Sequence, residues 1–294
     1  MALELMYITN DPAVAVIAEE AGVDLIFVDM EFIGKQLRQG GMDTVQSRHT
    51  IEDIRAIKAA VKSSRVMVRI NPIHEAGEEN GVAYTDSRTE IDAAIEAGAD
   101  ILMLPYFKTA EEVRKFVAYV DGRAITFPLL ETPEAVAVLD EILQIPGIDR
   151  IHIGLNDLSL AKKSGFMFGL LTDGTVEQIA ETCKKYQVPF GFGGIAALGQ
   201  GLLPAEYIIG EHYRLGSSYV ILSRSFCNTQ QITDLEQIRS IFQTGVSAIR
   251  ELEEKLKVKV KEQDHDFFTD NMKHIESGVQ AVQELIASRK QETK

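Results

Sequence analysis

The sequence predicts an α/β protein of the (β/α)8 TIM-barrel class with a C-terminal helical extension, and three observations carry that prediction. Eight short apolar runs rich in Val, Ile, Leu and Phe recur between Leu3 and Ser223, each followed by a helical segment. The runs are continuous rather than alternating, as parallel strands buried on both faces require. Eight such units within about 225 residues suit a closed barrel better than an open doubly wound sheet, the nearest alternative.

The first run, Leu3 to Thr9, meets Asn10, Asp11 and Pro12, a helix start with proline just inside, which opens Ala13 to Ala21. Asp24 to Asp29 is the second strand. After a polar stretch, Thr50 with Asp53 forms a capping box for the helix Ile51 to Val61. Arg65 to Ile70 is the third strand, and beyond a Gly-containing loop Asp86 to Ala97 is helical. Asp100 to Leu104 and a helix capped by Thr109 and Glu112 and running to Val120 follow, then Ala124 to Leu130 and one helix from Thr132 and Pro133 to Leu143. Asp149 to Ile153, a short helix Asp157 to Lys162 and a longer one Thr175 to Tyr186 come next. Val188 to Phe192, a helix around Pro204 to His212, and Ser217 to Ser223 complete the series. The barrel is expected over residues 1–230 and the extension over 231–294, broken into two helices around Gln263 to Asp266. In the extension Met272, Ile275, Val279, Val282 and Ile286 form one apolar stripe, to be covered by the barrel itself or by a neighbouring subunit.

Composition narrows the function. The 294 residues carry 44 acidic and 30 basic side chains, a net charge of −14. Such an excess repels phosphate backbones and anionic lipid, so neither nucleic acid nor a membrane is an expected partner. The first ten residues show no targeting pattern and no apolar run is long enough to span a bilayer, so a cytoplasmic protein is expected. Cys183 and Cys227 offer neither a disulfide framework nor a metal knuckle.

In a parallel barrel the C-terminal strand ends share one rim, so polar residues there converge although the sequence scatters them. They are Asp29 and Glu31 after the second strand, Arg69 and Asn71 at the third, Pro105 and Tyr106 after the fourth, Glu131 after the fifth, Asn156 and Asp157 after the sixth, Gly193 and Gly194 after the seventh, and Ser223 and Arg224 after the eighth. Glu131 and Asp157 lie 26 residues apart, one βα unit, and two adjacent carboxylates invite a hard cation such as Mg2+ or Mn2+. Arg69 adds a cation able to grip a carboxylate or a developing oxyanion. The pair suits a 2-keto acid; the alternative is a buried ion network that merely ties strand ends. Gly191, Gly193 and Gly194 lack the dinucleotide fingerprint and more simply let backbone approach a ligand.

The segments VRINP (Val68 to Pro72), MLPYFKTAEEV (Met103 to Val113), LLETPEAV (Leu129 to Val136) and GIDRIHIGLNDLSLA (Gly147 to Ala161) resemble the HpcH/HpaI aldolase and citrate lyase beta-subunit family of the phosphoenolpyruvate/pyruvate barrel superfamily. That resemblance implies a divalent-metal-dependent lyase, usually oligomeric, with the C-terminal helix packed on a neighbour. It makes Glu131 and Asp157 the metal ligands and Arg69 the residue facing pyruvate or its enolate. Asp29 and Glu31 are then expected to orient metal-bound water, with Asn156 and Gly193 near the substrate.

One departure matters. Where the family carries a histidine after the second strand, VDMEF places Phe32, which cannot move a proton. His49 is the first substitute expected, brought to the rim by the inserted loop Gly34 to Arg48; an exposed helix-start histidine is its plain alternative. Lys35 and Arg38 on that loop suit either an anionic substrate tail or solvent. His74 lies near the rim, and His152, within the sixth strand, suits packing. The expected activity is carbon–carbon cleavage of a 2-keto acid, such as a 4-hydroxy-2-keto acid, through a pyruvate enolate, releasing an aldehyde. An acyl-thioester lyase of the citrate lyase type and a metal- and keto-acid-binding protein without turnover are the alternatives. A homo-oligomer built through the C-terminal helices is expected.

Overall fold

The computed structural model describes residues 2–35 and 47–292, so Arg38 and residues 36–46 of the inserted loop lie outside the described residues. The strands are β1 (Glu4–Ile8), β2 (Leu25–Asp29), β3 (Arg65–Arg69), β4 (Gly77–Glu79), β5 (Val82–Tyr84), β6 (Ile101–Leu104), β7 (Ile125–Leu130), β8 (Ile151–Ile153), β9 (Phe190–Ile195) and β10 (Tyr219–Leu222). All but β4 and β5 form a closed barrel in which every neighbour is parallel and β10 returns to β1. This is the (β/α)8 architecture that the apolar runs predict.

The helices are α1 (Pro12–Glu20), α2 (Ile51–Ala60), α3 (Ser87–Glu96), α4 (Ala110–Val120), α5 (Pro133–Ala137), α6 (Leu139–Ile142), α7 (Leu155–Lys162), α8 (Gly169–Thr172), α9 (Thr175–Lys185), α10 (Ala205–Leu215), α11 (Leu235–Lys261) and α12 (His265–Glu292). Their starts follow the capping chemistry. Asp11 accepts from the amides of Ala13 and Val14, and complete capping boxes join Thr50 to Asp53 and Thr109 to Glu112.

Two apolar layers hold the fold. Met6, Leu25, Phe27, Met67, Ile101, Met103, Phe127, Leu129 and Tyr219 fill the barrel interior, while the alternate strand residues face the helices. Burial on both sides is why the strand runs are continuous.

Four local expectations need correction. The loop after β3 contains an antiparallel hairpin, β4 with β5, too short to show a two-residue period. The helix expected from Thr132 to Leu143 breaks at Val138 into α5 and α6. The helix expected at Asp157 begins two residues earlier, so Asn156 and Asp157 lie in its first turn. The seventh barrel strand runs to Ile195 and includes the glycines expected beyond it.

The C-terminal segment does more than append. Helix α11 packs against α1 on one side and α10 on the other, the place of the ring's eighth helix, and only α12 is additional. The turn between them, with Gln263 at φ 54°, falls where the sequence breaks. The apolar stripe of α12 faces α8 and α10 of its own chain: Ile275, Val279 and Val282 are buried, and Asn271 donates to the Tyr207 carbonyl at 3.0 Å. Its own barrel covers it.

Candidate active site

Carboxylates and cations meet where the strands end. Asp29, the last residue of β2, is buried and takes two hydrogen bonds from Arg69 at the end of β3, Nε to Oδ1 at 2.8 Å and Nη2 to Oδ2 at 2.7 Å. Strand register places them side by side, since Asp29 is the β2 partner of Arg69. Lys35 Nζ donates to Asp29 Oδ2 at 2.9 Å and lies 3.4 Å from Glu31 Oε2, which is also 3.4 Å from Arg69 Nε. Despite burial, which alone would raise it, the Asp29 pKa is driven far below the usual carboxylate range by Arg69 and then Lys35. For Arg69 the balance of burial against Asp29 and Glu31 raises the guanidinium further.

Glu131 follows β7 and is buried; its Oε1 accepts from the Tyr106 amide at 2.9 Å. Tyr106 directs that amide from a left-handed backbone, φ 49°, just beyond β6. Gly154 leaves room for the same carboxylate, since a Cβ there would stand 2.8 Å from Glu131 Oε2. Burial, then the nearby charges of Glu31 and Asp157, hold the Glu131 proton well above the ordinary glutamate range. Such a group is poised to exchange its proton for a cation.

A cavity of about 250 Å³ collects these residues: Arg69, Glu131, Asn156, Asp157 and Gly193 all line it, with Lys35 and His152. Gly193 adopts φ 55°, and a Cβ there would stand 2.7 Å from Leu155 Cδ1, so a larger residue would be strained and would have to displace that side chain. Two carboxylates, Glu131 and Asp157, and two cations, Lys35 and Arg69, line the cavity, and both cations are already engaged by Asp29 and Glu31. Among the described residues no cluster of three or more His, Cys, Asp or Glu side chains is disposed to hold a metal. Two carboxylates with remaining positions for water and substrate oxygens match Mg2+ or Mn2+, and do not match a closed protein cage. Glu131 and Asp157 are the cavity carboxylates that would meet such a cation.

The histidines take three different places, with His49 and His152 where the sequence puts them. His49 does reach the rim, where its Nδ1 accepts from the Asp29 amide at 2.9 Å. Burial lowers its pKa, and with Nδ1 engaged the neutral ring carries its proton on Nε2, which makes it a donor. His74 is held by the Thr85 carbonyl and Ser87 and does not line the cavity. His152 Nε2 bonds the Gly193 carbonyl at 3.2 Å, and burial lowers its pKa to about 4. Phe32 packs edge-on against Tyr84 of the hairpin, ring centroids 5.9 Å apart, while Asn71 Oδ1 accepts the amides of Phe32 and Ile33, both at 2.9 Å. The burial of Lys35 is the feature sequence reasoning missed. A lysine on a polar loop looks solvated, and only Asp29 and Glu31 at four to six residues' distance hinted otherwise. A larger groove of about 920 Å³ near Arg214 and α12 lacks these features, because Arg214 there is closed on Glu177 and Glu211.

A buried acid–base cluster on the C-terminal rim of a parallel barrel is the mark of a barrel enzyme. The HpcH/HpaI aldolase/citrate lyase family model matches residues 4–188, more than half of the chain, and the protein belongs to that family, one of lyases that generally require a divalent cation. Solved structures share the fold: an HpcH/HpaI aldolase from Desulfitobacterium hafniense (TM-score 0.58, 18% identity, 81% of this chain and 93% of that one), an HpcH/HpaI aldolase/citrate lyase family protein from Burkholderia cenocepacia (0.57, 16%, 81% and 95%) and the citrate synthase SbnG (0.56, 16%, 81% and 94%). A pyruvate kinase of Methylorubrum extorquens is 27% identical over 118 residues, 36% of this chain and only 24% of that enzyme's length. Among the described residues no helix is long and apolar enough to cross a membrane.

Proposed function

We propose that this protein is a divalent-cation-dependent carbon–carbon lyase that cleaves a 2-keto acid such as a 4-hydroxy-2-keto acid to pyruvate and an aldehyde. The observation that carries this reading is the one cavity lined by Arg69, Glu131 and Asp157, in which burial and neighbouring carboxylates press on Glu131. Glu131 and Asp157 would hold Mg2+ or Mn2+, which when bound supplies a Lewis acid for the keto oxygen and the enolate.

The remaining work falls to the chain. Neither bond to Asp29 uses Nη1 of Arg69, so its two N–H groups serve the substrate carboxylate or the enolate oxygen. Asp29 fixes the guanidinium plane before substrate arrives, so no reorganisation is needed as charge develops. Tyr106 orients Glu131 through its amide, and His49 Nε2 offers a neutral hydrogen bond at the rim.

Pyruvate release from 4-hydroxy-2-keto acids with added Mg2+ or Mn2+, compared with Glu131→Gln and Asp157→Asn, tests the proposal. Release that depends on both carboxylates and on the cation supports it. Cleavage of an acyl thioester alone would assign the citrate-lyase-type reaction, and cation binding without cleavage of either would make Phe32 the mark of a binding protein.

A further inference from the structure

Cleavage of an aldol needs a group at the oxygen of the carbon that leaves, and the described residues leave few to serve. Phe32 has no polar atom. The lone pair of His49 Nδ1 is taken by the Asp29 amide. His152 is bonded to the Gly193 carbonyl, Arg69 faces the keto-acid end, and Glu131 and Asp157 are assigned to the cation. Of the cavity's donors that leaves Asn156, a neutral amide, and Lys35, whose charge makes it the stronger.

Its position is distinctive. The Lys35 side chain is only 3% exposed although it sits on a rim loop. It lines the central cavity and also a neighbouring pocket of about 210 Å³, walled by Met30, Phe32, His49 and Val82, and among the described residues no other lines both. A substrate whose keto-acid half occupies the first and whose aldehyde half enters the second would place the breaking bond at Lys35. Asp29 and Glu31 hold its Nζ and take up two of the three ammonium donors.

We infer that Lys35 is a catalytic residue, its ammonium donating a hydrogen bond to the oxygen on the carbon that departs as aldehyde; this rests on the lyase reading above. In the cleavage direction the hydroxyl O–H bond breaks and its proton passes to water. The oxygen's electron pair closes to a carbonyl as the carbon–carbon bond breaks, and that bonding pair remains as the enolate. The enolate carbon then takes a proton from water, and Lys35 stays an ammonium throughout, so atoms and charge balance.

Lys35→Met and Lys35→Arg test the assignment by two readouts: turnover of a 4-hydroxy-2-keto acid, and binding of oxalate, an enolate mimic without a leaving half, measured by calorimetry with Mn2+. Removing one preorganised donor should lower turnover of Lys35→Met by roughly 10²–10³-fold. Oxalate affinity should stay within about threefold, since no contact to that ligand is lost. Lys35→Arg, which keeps a cation on Asp29 and Glu31, should recover about tenfold in turnover. Turnover unchanged in Lys35→Met overturns the inference, as does a parallel loss of oxalate binding, the signature of a lysine that only props Asp29 and Arg69. No recovery in a folded Lys35→Arg chain overturns it too. A wild-type chain that fails to cleave or to bind oxalate instead removes the lyase reading itself, before Lys35 is in question.

Discussion

The two ends of the barrel both carry ion clusters, and they are built to opposite rules. At the N-terminal mouth, Glu4 Oε2 accepts from Arg65 at 2.8 Å and Arg150 at 2.7 Å, and Arg150 also lies over the Tyr219 ring at 4.8 Å. The one acid there faces two arginines and keeps 31% of its side-chain surface in solvent. At the C-terminal rim Asp29 and Glu31 each keep 2%, with Arg69 and Lys35 against them. Ions left in water are screened and contribute little, whereas ions held out of it depend on their partners.

The comparison is most exposed at Glu131. Substituting Glu131→Gln or Asp157→Asn removes one of the cavity's two carboxylates, and cleavage should fall by about 10³-fold, a few kcal/mol of transition-state stabilisation. Above the pH at which Glu131 gives up its proton, the metal-free protein should respond the other way and melt higher, since a repulsion has gone. Because Glu131 holds its proton above the ordinary glutamate range, the native state binds more protons than the unfolded chain between those two values. Metal-free stability should therefore fall as pH rises through that window, and urea titrations across pH should show the slope flattened in Glu131→Gln. A slope unchanged by the substitution would mean that Glu131 is not the group that takes up the proton.

Asp29 gives the next effect. Asp29→Asn leaves Arg69 and Lys35 buried with one fewer counter-charge and should cost about 3–5 kcal/mol in urea unfolding. Asp29 ionises more readily when folded, so its contribution is present above the ordinary aspartate range and lost as pH falls below it. An Asp29→Asn chain should accordingly lose less stability on acidification than wild type.

Much of this was legible in the sequence, for identifiable reasons. Continuous apolar strands and capping pairs such as Thr109 with Glu112 are local signals, and they led to the barrel. Strand ends share a rim by topology, so Arg69, Glu131 and Asp157 could be gathered without coordinates. What escaped depends on side-chain direction or on short range. The β4–β5 hairpin has strands of three residues, and the burial of Lys35 depends on a chain reversal that no periodicity encodes. The role of α11 as eighth helix was hidden by the stretch from Ser223 to Asp234, which resembles a domain boundary until the contacts with α1 and α10 are seen.

His49 sharpens the account at the rim. As a neutral donor it contributes one hydrogen bond, about 1 kcal/mol, so His49→Ala should reduce kcat/KM by less than about tenfold. The acid limb of the pH–rate profile should not move. A loss of hundreds-fold together with a displaced limb would restore the histidine as the base and dislodge the tautomer that the Asp29 amide imposes.

The smallest effect belongs to the opposite mouth. Glu4→Gln removes one charge from a partly solvated cluster, where water screens the attraction and the amide oxygen still accepts from Arg65 or Arg150. The expected cost is no more than about 1 kcal/mol in urea unfolding, with cleavage unaltered, because nothing in that cluster lines the central cavity. The pair Glu4→Gln and Asp29→Asn is thus a direct contrast: one carboxylate neutralised at each end of the same barrel, with two arginines at one and an arginine and a lysine at the other. If both cost the same, burial does not set the rim apart. If Glu4→Gln lowers turnover while stability holds, the ends are coupled through the barrel core of Tyr219 and Phe127, whose rings stand edge-on at 5.3 Å.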